Sequence, residues 1–521
     1  MIKNTITNAA DISVLRLIDN NYKTGGGPAS VSGTVVVASK GPVGQVFQVT
    51  NDNWEVKLGR PLPKSHGLGA EGLRHLAAAA EHASYVQVVR VVDAAYRFPS
   101  VAVQAANPLT PEVAVTVKSE HAAGAEILPA AEDIMVFFIK DGDPSSHRQL
   151  EISNVDVATN RFTVTLWGKD AANEDAILES YTASLDEDAR DDMGVPIFIE
   201  SLLETASERL GVVIGDTGIE DLVAVTKVYF EGGDNGGYPE TADWQAAWNL
   251  LADDRVYLNN VFQAGNYDPI VIGHVADIAR GRYIQHFFDA PPYLKHSDAI
   301  DWIKDAGIQG RQNVCIWGAY TATDPWYGGK GLWGFSGDAA AARARANANF
   351  SGPVPGVYYT IAGTKRGTIN RRGVKPLYPD DLINKDDLYT ARINPILASD
   401  SGVGVYIGDS LAMHFEQNYK RFEWISSLDN HITHQFIEGA SYAKFEPDGL
   451  TLQILTDIMQ GILEPLTTAG AIVTPRNPDV DGDEPYRIRI YQAEIDLWMV
   501  EWDYCPVGAA RRIAGQPMLI K

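Results

Sequence analysis

Apolar residues in the first hundred positions follow two different patterns. Val31–Ser39 and Tyr85–Val92 are rich in β-branched residues and predict strands. Between them, Ala70–Ala83 is rich in alanine and leucine and predicts a helix. A strand, a helix and a second strand in this order are typical of a parallel pair with both faces covered. This part of the chain therefore predicts an α/β unit.

The alternation of strands and helices resumes after residue 226. The predicted strands are Thr226–Phe230, Val256–Phe262 and Asn313–Trp317, and the predicted helices are 242–252 (with Thr241 as N-cap), 270–287, 298–306, Ala339–Asn349, 411–437 and 450–469. Near the C-terminus, Arg487–Ile490 and Ala493–Trp502 are predicted strands. The apolar phase shifts around Tyr491–Gln492, which predicts a bulge or break there.

Residues 96–226 have a different character, because they are rich in Val, Thr, Asp and Glu. Glu151–Val157 and Arg161–Trp167 alternate apolar and polar residues around a turn at Ala158–Asn160, which predicts a hairpin. We therefore expect a β-rich domain inserted into the α/β unit.

The chain as a whole is predicted to be an α/β (α+β) multi-domain protein with a discontinuous α/β core, an inserted β-rich domain and extended terminal arms. A weakly patterned start ends at Gly25–Pro28, which predicts an arm and a flexible joint. The predicted units are an N-terminal arm at 1–22, core parts at 23–95 and 227–400, the insertion at 96–226, a C-terminal α+β domain at 401–504 and a C-terminal arm at 505–521.

Composition and charge narrow the functional classes. Hydrophobic residues make up 45% of the 521 residues and charged residues 21%, which is ordinary for a globular protein. The formal net charge of −24 disfavours direct binding to nucleic acid. No apolar run approaches the length of a membrane span and the first residues do not resemble a signal peptide, so we expect no membrane insertion and synthesis in the cytosol. The two cysteines, Cys315 and Cys505, suit a reducing compartment and are expected to be inert.

Candidate nucleotide and catalytic motifs are incomplete. The glycine-rich turn at 232–237 follows a strand, but it lacks the spacings of phosphate-binding loops, and its Asp234 would repel phosphate. Gly328-Gly329-Lys330 is followed by Gly331 where a phosphate loop requires Ser or Thr. Gly334-Phe335-Ser336-Gly337 is one residue short of a nucleophile elbow. We expect neither a catalytic site nor a cofactor.

Candidate metal sites are also incomplete. His431 and His434 are one helical turn apart and could share a metal, but no third ligand accompanies them in sequence. Asp479, Asp481 and Asp483 resemble half of a calcium loop without its glycine and final glutamate. Packed histidines and a charged turn are the favoured interpretations.

Two segments stand out by composition. The aromatic loop, defined as Trp317–Phe335, holds six aromatic residues among glycines. Anchoring on the core is the favoured interpretation, followed by a protein interface and by sugar binding. The basic segment, defined as Thr364–Pro376, holds five basic residues and no acid. It predicts either a solvated loop or a surface that meets an acidic partner such as a neighbouring copy.

Several segments, in order, resemble contractile tail-sheath proteins. They cover the first 95 residues and most of 226–500. They are Val35–Thr50, Phe230–Leu251 with its Gly-Gly-Asp turn, Pro353–Thr368, Ile393–Leu411 and Arg421–Ile472 with Phe445-Glu446-Pro447 and Gly470-Ala471. The C-terminus departs from the pattern, because Pro506 and Pro517 limit the strands that the last residues can form.

The resemblance implies a structural subunit rather than an enzyme. Such subunits form hexameric rings stacked as a helix around an inner tail tube, and their terminal arms add strands to a small sheet on neighbouring copies. The implied partners are further copies of the chain, the tube protein, and baseplate and tail terminator proteins. The implied location is a phage tail in the virion, assembled in the host cytoplasm, where contraction drives genome ejection. The predicted subunit-interface residues are Ile12, Val14, Leu15, Arg371, Arg372, Met518, Leu519 and Ile520.

Three other interpretations stay open at this point. The first is the sheath of an R-type bacteriocin or of a type VI-like contractile injection system. The second is an α/β enzyme, such as a metal hydrolase using His431 and His434. The third is a receptor- or sugar-binding virion protein that uses the aromatic loop.

Overall fold

A computed structural model describes residues 30–104, 115–116, 129, 133–142, 147–169, 174–215, 222–398 and 404–511. The predicted N-terminal arm and most of the predicted C-terminal arm lie outside these residues.

The strands are β1 (Val31–Val36), β2 (Val46–Val49), β3 (Tyr85–Arg90), β4 (Ser100–Gln104), β5 (Val115–Thr116), β6 (Asp133–Ile139), β7 (Gln149–Asp156), β8 (Arg161–Lys169), β9 (Asp175–Ala183), β10 (Leu210–Ile214), β11 (Val225–Tyr229), β12 (Asn260–Phe262), β13 (Gln285–Asp289), β14 (Asn313–Trp317), β15 (Tyr320–Thr323), β16 (Lys330–Leu332), β17 (Thr368–Ile369), β18 (Lys375–Pro376), β19 (Ile393–Ala398), β20 (Val405–Ile407), β21 (Tyr486–Glu494) and β22 (Leu497–Tyr504). The helices are α1 (Trp54–Leu58), α2 (Gly72–Ala80), α3 (Ile199–Ala206), α4 (Thr241–Leu250), α5 (Pro269–Gly281), α6 (His296–Ala306), α7 (Ser336–Asn347), α8 (Lys385–Thr390), α9 (Glu423–Ala440), α10 (Asp448–Thr468) and α11 (Pro478–Asp481).

A nine-stranded sheet forms the centre, in the order β17-β20-β19-β14-β13-β12-β1-β3-β2. Its six inner strands, from β19 to β3, are parallel, and antiparallel strands close both edges. The two chain segments 31–90 and 260–407 build this one sheet, because β1 pairs with β3 on one side and with β12 on the other. The predicted α/β, multi-domain fold class is confirmed, and its core is discontinuous in sequence.

Helices cover both faces of the central sheet. On one face, α2 and α7 pack through Leu73, Leu76 and Ala339 onto the strands. On the other face, α4 and α5 contribute Trp244, Trp248 and Val275 to a second cluster. The inner strands β1, β12, β13 and β14 are buried at every residue, polar ones included, as expected for a parallel sheet covered on both faces.

Two antiparallel sheets occupy the middle of the chain between β3 and α4. Their strand orders are β10-β6-β4-β5 and β11-β7-β8-β9, and both contribute to one apolar cluster together with α3. The hairpin predicted around residues 158–160 is confirmed as β7 and β8. The buried Arg90 guanidinium joins these sheets to the core, because it donates to the carbonyl oxygens of Ala38, Gly41 and Gly142.

The C-terminal part pairs α9 with α10 and places the β21–β22 hairpin against them. Leu428, Ile432, Met459 and Leu463 form the buried centre of this cluster. A fully buried ion pair ties it to the core, since Arg343 on α7 contacts Glu423 at the start of α9 at 2.8 Å.

Two of the predicted helices were too long. The predicted helix 270–287 ends at Gly281, and its last residues belong to the central strand β13. The predicted helix 411–437 begins only at Glu423, because Leu411–Met413 is extended chain whose backbone bonds to Asn313 and Arg421.

Two local predictions also need correction. Glu240, not Thr241, precedes α4 and forms a capping box with Asp243, while the Thr241 hydroxyl donates to Asp268. The strand predicted at 256–262 is only Asn260–Phe262. The bulge or break predicted around Tyr491–Gln492 is present as a register shift between Gln492 and Glu494, within a strand that continues to the hairpin turn.

Candidate assembly surface

The β21–β22 hairpin has one packed face and one exposed face. Side chains on the inner face, among them Ile488, Val500 and Trp502, are partly buried against the α9–α10 pair, and the ring of Trp502 lies 5.1 Å from that of Phe436. The outer face carries charges in register, with Arg489 2.7 Å from Glu501. The two faces differ because apolar and polar residues alternate along each strand, and successive side chains of a strand point to opposite faces.

Both long edges of this hairpin are open among the described residues, because β21 and β22 pair only with each other. About half of the nine residues of β21 and of the eight residues of β22 therefore present unpaired backbone groups on the outer sides. Ile495 at the turn is 94% exposed. A two-stranded sheet is marginal by itself, and an open edge is a template for a strand from another chain.

The base of the hairpin is fixed to the rest of the chain by polar contacts. The hydroxyl of Tyr504 donates to Asp429 on α9 at 3.0 Å, and Asp429 also forms an ion pair with Arg311. Burial, together with the Asp429 carboxylate, raises the pKa of Tyr504 well above its usual range. A backbone hydrogen bond from the N–H of Val473 to the carbonyl oxygen of Cys505 extends the anchor. The hairpin is thus held firmly at its base while its edges stay open.

The chain leaves the described structure beside the core. Arg511 forms two hydrogen bonds with Asp409, from Nε at 2.7 Å and from a terminal nitrogen at 2.6 Å. Its guanidinium also lies 4.8 Å from the ring of Tyr389. A paired guanidinium and carboxylate define direction as well as contact, so this pair fixes the side chain of Arg511, the last described residue, on Asp409. No signal in the sequence pointed to Asp409 or Tyr504.

Six of the eight predicted interface residues lie outside the described residues. They are Ile12, Val14, Leu15, Met518, Leu519 and Ile520. Arg371 is occupied within its own chain, since it donates to Asp338 at 2.5 Å and stacks 3.8 Å from the ring centre of Phe335. Arg372 is exposed, so it is the better position at which to test the predicted role in assembly.

The histidine pair on α9 is packed rather than arranged as metal ligands. The Nε2 atom of His434 lies 2.8 Å from the carbonyl oxygen of Arg282. Burial lowers the pKa of His431 to about 4 and also lowers that of His434. In the described ranges, no three His, Cys, Asp or Glu side chains are grouped as metal ligands.

The glycine-rich turn holds carboxylates where a phosphate would lie. The backbone N–H of Gly237 donates to Asp93 at 2.7 Å, and that of Gly236 donates to Asp234 at 3.0 Å. Gly236 has a φ of +68°, and a Cβ there would lie 1.9 Å from the Asp93 carboxylate. The glycines therefore admit the chain's own acid, which repels an anionic ligand.

A serine and a histidine meet in the core, which the sequence did not predict. The Oγ atom of Ser336 lies 3.0 Å from Nδ1 of His75, and the carboxylate of Glu71 lies 3.6 Å from Nε2. Ser336 and His75 are fully buried, and Ser336 Oγ donates to the carbonyl oxygen of Gln263. The cluster joins α2 to the start of α7, so it acts as a polar contact inside the core.

The crevice beside β1 and β12 is where a doubly wound sheet usually binds ligands, because the strand order reverses there. Here the chain's own side chains lie in it. The hydroxyl of Tyr267 donates to Glu71 at 2.5 Å, and that of Tyr238 donates to the carbonyl oxygen of Gly265 at 3.3 Å. Tyr267 is buried, which raises its pKa well above the usual range.

Among the described residues, no helix combines the length and apolar character needed to cross a bilayer.

Comparison with known proteins gave matches only among solved structures. No family model matches the sequence, and no curated protein matches it. The chain is similar to a protein in the sixfold-symmetrised anti-feeding prophage baseplate, with 14% identity, a TM-score of 0.41 and coverage of 56% of this chain and 78% of that chain. It is similar to a protein in the contracted sheath complex of the extracellular contractile injection system PVC, with 16% identity, a TM-score of 0.42 and coverage of 55% and 76%.

A third solved structure spans almost the whole chain. It is the sheath tail protein of Desulfitobacterium hafniense, with 14% identity, a TM-score of 0.47 and coverage of 92% of this chain and 97% of that chain. Of these three solved structures, two are described as sheath structures.

Proposed function

We propose that this chain is the structural subunit of a contractile sheath. Copies polymerise as stacked hexameric rings around an inner tube, and contraction drives the tube through the host envelope. The observation that carries the proposal is the open β21–β22 sheet, which is fixed at its base and lacks strand partners among the described residues. The sequence segments that resemble sheath proteins, and that occur in the same order, indicate that the assembly is a sheath.

Backbone pairing along the open edge of the hairpin would contribute to the binding of an arm. In a strand of nine residues, about four or five present their N–H and C=O groups outward. Each net hydrogen bond contributes about 0.5–1.5 kcal/mol, so one added strand contributes several kcal/mol before its ordering entropy is subtracted. Pairing repeated through a lattice then makes a continuous mesh.

The terminal arms are the proposed donors of these strands. The Arg511–Asp409 contact gives the C-terminal arm a fixed origin on the core, and residues 1–22 form the N-terminal arm. Apolar residues of the arms, among them Val14 and Leu519, would alternate with outward-facing ones and pack on the neighbouring copy.

Contraction is proposed to be a switch between two lattice packings, the extended one held metastable by the inner tube and the baseplate. Tail terminator proteins would close the far end. The proposed setting is a phage tail, assembled in the host cytoplasm, whose contraction leads to genome ejection. A bacteriocin or type VI-like injection sheath is the alternative machine built from the same subunit.

A non-enzymatic role is part of this proposal. Three findings support it: carboxylates hold the amides of the glycine-rich turn, tyrosines lie in the crevice beside β1 and β12, and the Ser336–His75 contact is fully buried. The Gly237 amide and the hydroxyls of Tyr238, Tyr267 and Ser336 each donate a hydrogen bond within the chain.

Deleting residues 1–22 tests the arm hypothesis. We expect a folded protein, with an unchanged circular dichroism spectrum and thermal midpoint, that assembles poorly because its neighbours lose a strand. Sedimentation velocity measures the assembled fraction. A variant with residues 1–22 in scrambled order is the control, since it keeps length and charge, and it should assemble as poorly as the deletion. Normal assembly of the deletion variant would refute the arm hypothesis.

A further inference from the structure

The aromatic loop and the basic segment meet around one cavity. The cavity has a volume of about 480 Å³, and its other walls come from α2 and α7. Trp326 and Trp333 of the aromatic loop line it together with Arg371 and Arg372 of the basic segment. Exposed residues among its lining, including Pro325 and Asn370, place its mouth at the surface.

The lining of the cavity offers apolar surface. Ala77 and Ala78 on α2 and Ala341 on α7 contribute small apolar side chains to it. The indole rings of Trp326 and Trp333 add flat apolar surface. A cavity of several hundred cubic ångströms with apolar walls and a few polar groups is typical of small-molecule sites.

Two of the cavity's arginines are neutralised by the chain itself. Arg74 contacts Asp324 at 2.7 Å, and Arg371 contacts Asp338 at 2.5 Å. These pairs are almost fully buried, and both arginines also lie near the aromatic rings. They hold the aromatic loop in place and leave little charge for a ligand.

The other two arginines have no carboxylate partner among the described ion pairs. Arg345 is half-buried and donates to the carbonyl oxygen of Thr368 at 2.7 Å, and its Nε is buried without a partner. Its neighbour His82, 3.4 Å away, has a lowered pKa, chiefly through burial and then through the Arg345 charge. Arg372 is exposed at the mouth. A partly desolvated guanidinium without an anion favours binding one.

The charge balance favours a single negative charge on the ligand. Four arginines and three carboxylates line the cavity, an excess of one positive charge in a chain of net charge −24. Glu81, the third carboxylate, is bonded to Asn370 at 3.3 Å and stands close to His82. A dianion such as phosphate would be repelled by these acids, whereas a monoanion would balance the excess.

We propose that this cavity is a binding site for a small organic monoanion, namely a planar apolar group that carries a carboxylate. The apolar group lies between the alanines and the indole rings, and the carboxylate lies toward Arg345 and Arg372. The site belongs to the folded subunit and goes beyond the proposed role in a sheath, so it can be tested without assembly.

Isothermal titration of the full chain with naphthylacetate tests the site, with neutral naphthylacetamide as a ligand of the same shape. We expect the acid to bind at one site per chain and the amide to bind about tenfold more weakly, the difference that a charge-assisted hydrogen bond contributes. The absence of saturable binding of the acid, or equal binding of the amide, would overturn the proposal.

Three substitutions test whether the ligand binds in this cavity. Arg372→Gln should weaken binding of the acid about five- to tenfold and leave that of the amide unchanged. Lys375→Gln is the matched control, since it removes a charge from the same exposed segment at a position outside the lining, and it should change neither affinity more than about twofold. Ala78→Phe should fill the cavity and abolish both, with circular dichroism to verify folding. Unchanged binding in Arg372→Gln or in a folded Ala78→Phe protein would place the ligand elsewhere.

Discussion

At the scale of single residues, buried charges define how the parts of the chain are joined. Glu423 accepts hydrogen bonds from Arg343, Gln285 and Ser410, and all four residues are buried. These residues come from α7, β13, the segment before α9 and α9 itself. One carboxylate therefore connects the central sheet to the C-terminal helices.

Replacing Glu423 with Gln should destabilise the protein by about 3–5 kcal/mol, because it leaves the buried Arg343 without a counter-charge. Chemical denaturation followed by circular dichroism measures the loss. Glu501→Gln is the matched control, since its pair with Arg489 is equally well formed at 2.7 Å but exposed, and it should cost less than about 1 kcal/mol. Equal effects of the two substitutions would contradict the role assigned to Glu423.

His286 makes the stability of the fold depend on pH. It is fully buried on β13, and burial lowers its pKa to about 4, although its contact with Asn313 opposes the shift. The unfolded chain, with a histidine pKa of about 6.5, binds the proton more readily. Stability contributed by neutral His286 is therefore present above pH 6.5 and lost as the pH falls from about 6.5 to 4.

Replacing His286 with Gln should flatten this part of the stability curve. The denaturation midpoints of the wild type and of His286→Gln are measured between pH 4 and pH 7. The difference between the two midpoints should change steadily with pH. Parallel curves for the two proteins would show that His286 does not titrate on unfolding.

At the scale of elements, the hairpin β21–β22 combines a fixed base with free edges. Successive N–H groups of a strand alternate in direction. Tyr491 and Gln492 are adjacent and both exposed on β21, so the N–H of one faces β22 and that of the other faces the open edge.

Single proline substitutions at these two positions should therefore have different results. One variant should lose stability through the hairpin ladder, whereas the other should keep the wild-type thermal midpoint and assemble poorly, because proline removes the donor that an added strand needs. Thermal melts and sedimentation of both variants distinguish the cases. If both variants assemble normally, the outer edge of β21 carries no neighbouring strand.

Periodicity in the sequence predicted most of the elements but not all of their limits. The alternating residues of the hairpin and the β1–α2–β3 unit were visible, because their patterns follow from burial on one or two faces. β13 was assigned to a helix, since its five residues, Gln285–Asp289, are too few for periodicity to decide. The turn before it has Tyr283 at a φ of +52°, and Gly281, the last residue of α5, is the signal in the sequence that could have marked the boundary.

The sites were less predictable than the fold. The aromatic loop and the basic segment were recognised separately, but only the packing of α2 against α7 brings them to one cavity. The burial of Trp317, Trp333 and Phe335 agrees with anchoring on the core as the role of most of the loop. Arg371 was assigned to an interface by charge alone, and charge does not reveal that Asp338, 33 residues away, pairs with it.

At the scale of the whole molecule, charge opposes assembly. Every copy carries a formal charge of −24, so copies repel one another unless salt screens them over about 8–10 Å. Backbone pairing at the hairpin edge is short-ranged and depends little on salt. Assembly should therefore increase with ionic strength, which is the reverse of what attraction between oppositely charged surfaces would give.

The central claim is that copies of this chain polymerise into a sheath, and negative-stain electron microscopy of the purified protein at low and high salt tests it most directly. The account predicts hollow, cross-striated tubes of uniform width, more abundant at high salt. Monodisperse single particles at every salt and protein concentration, also when the inner tube is added as a template, would contradict it.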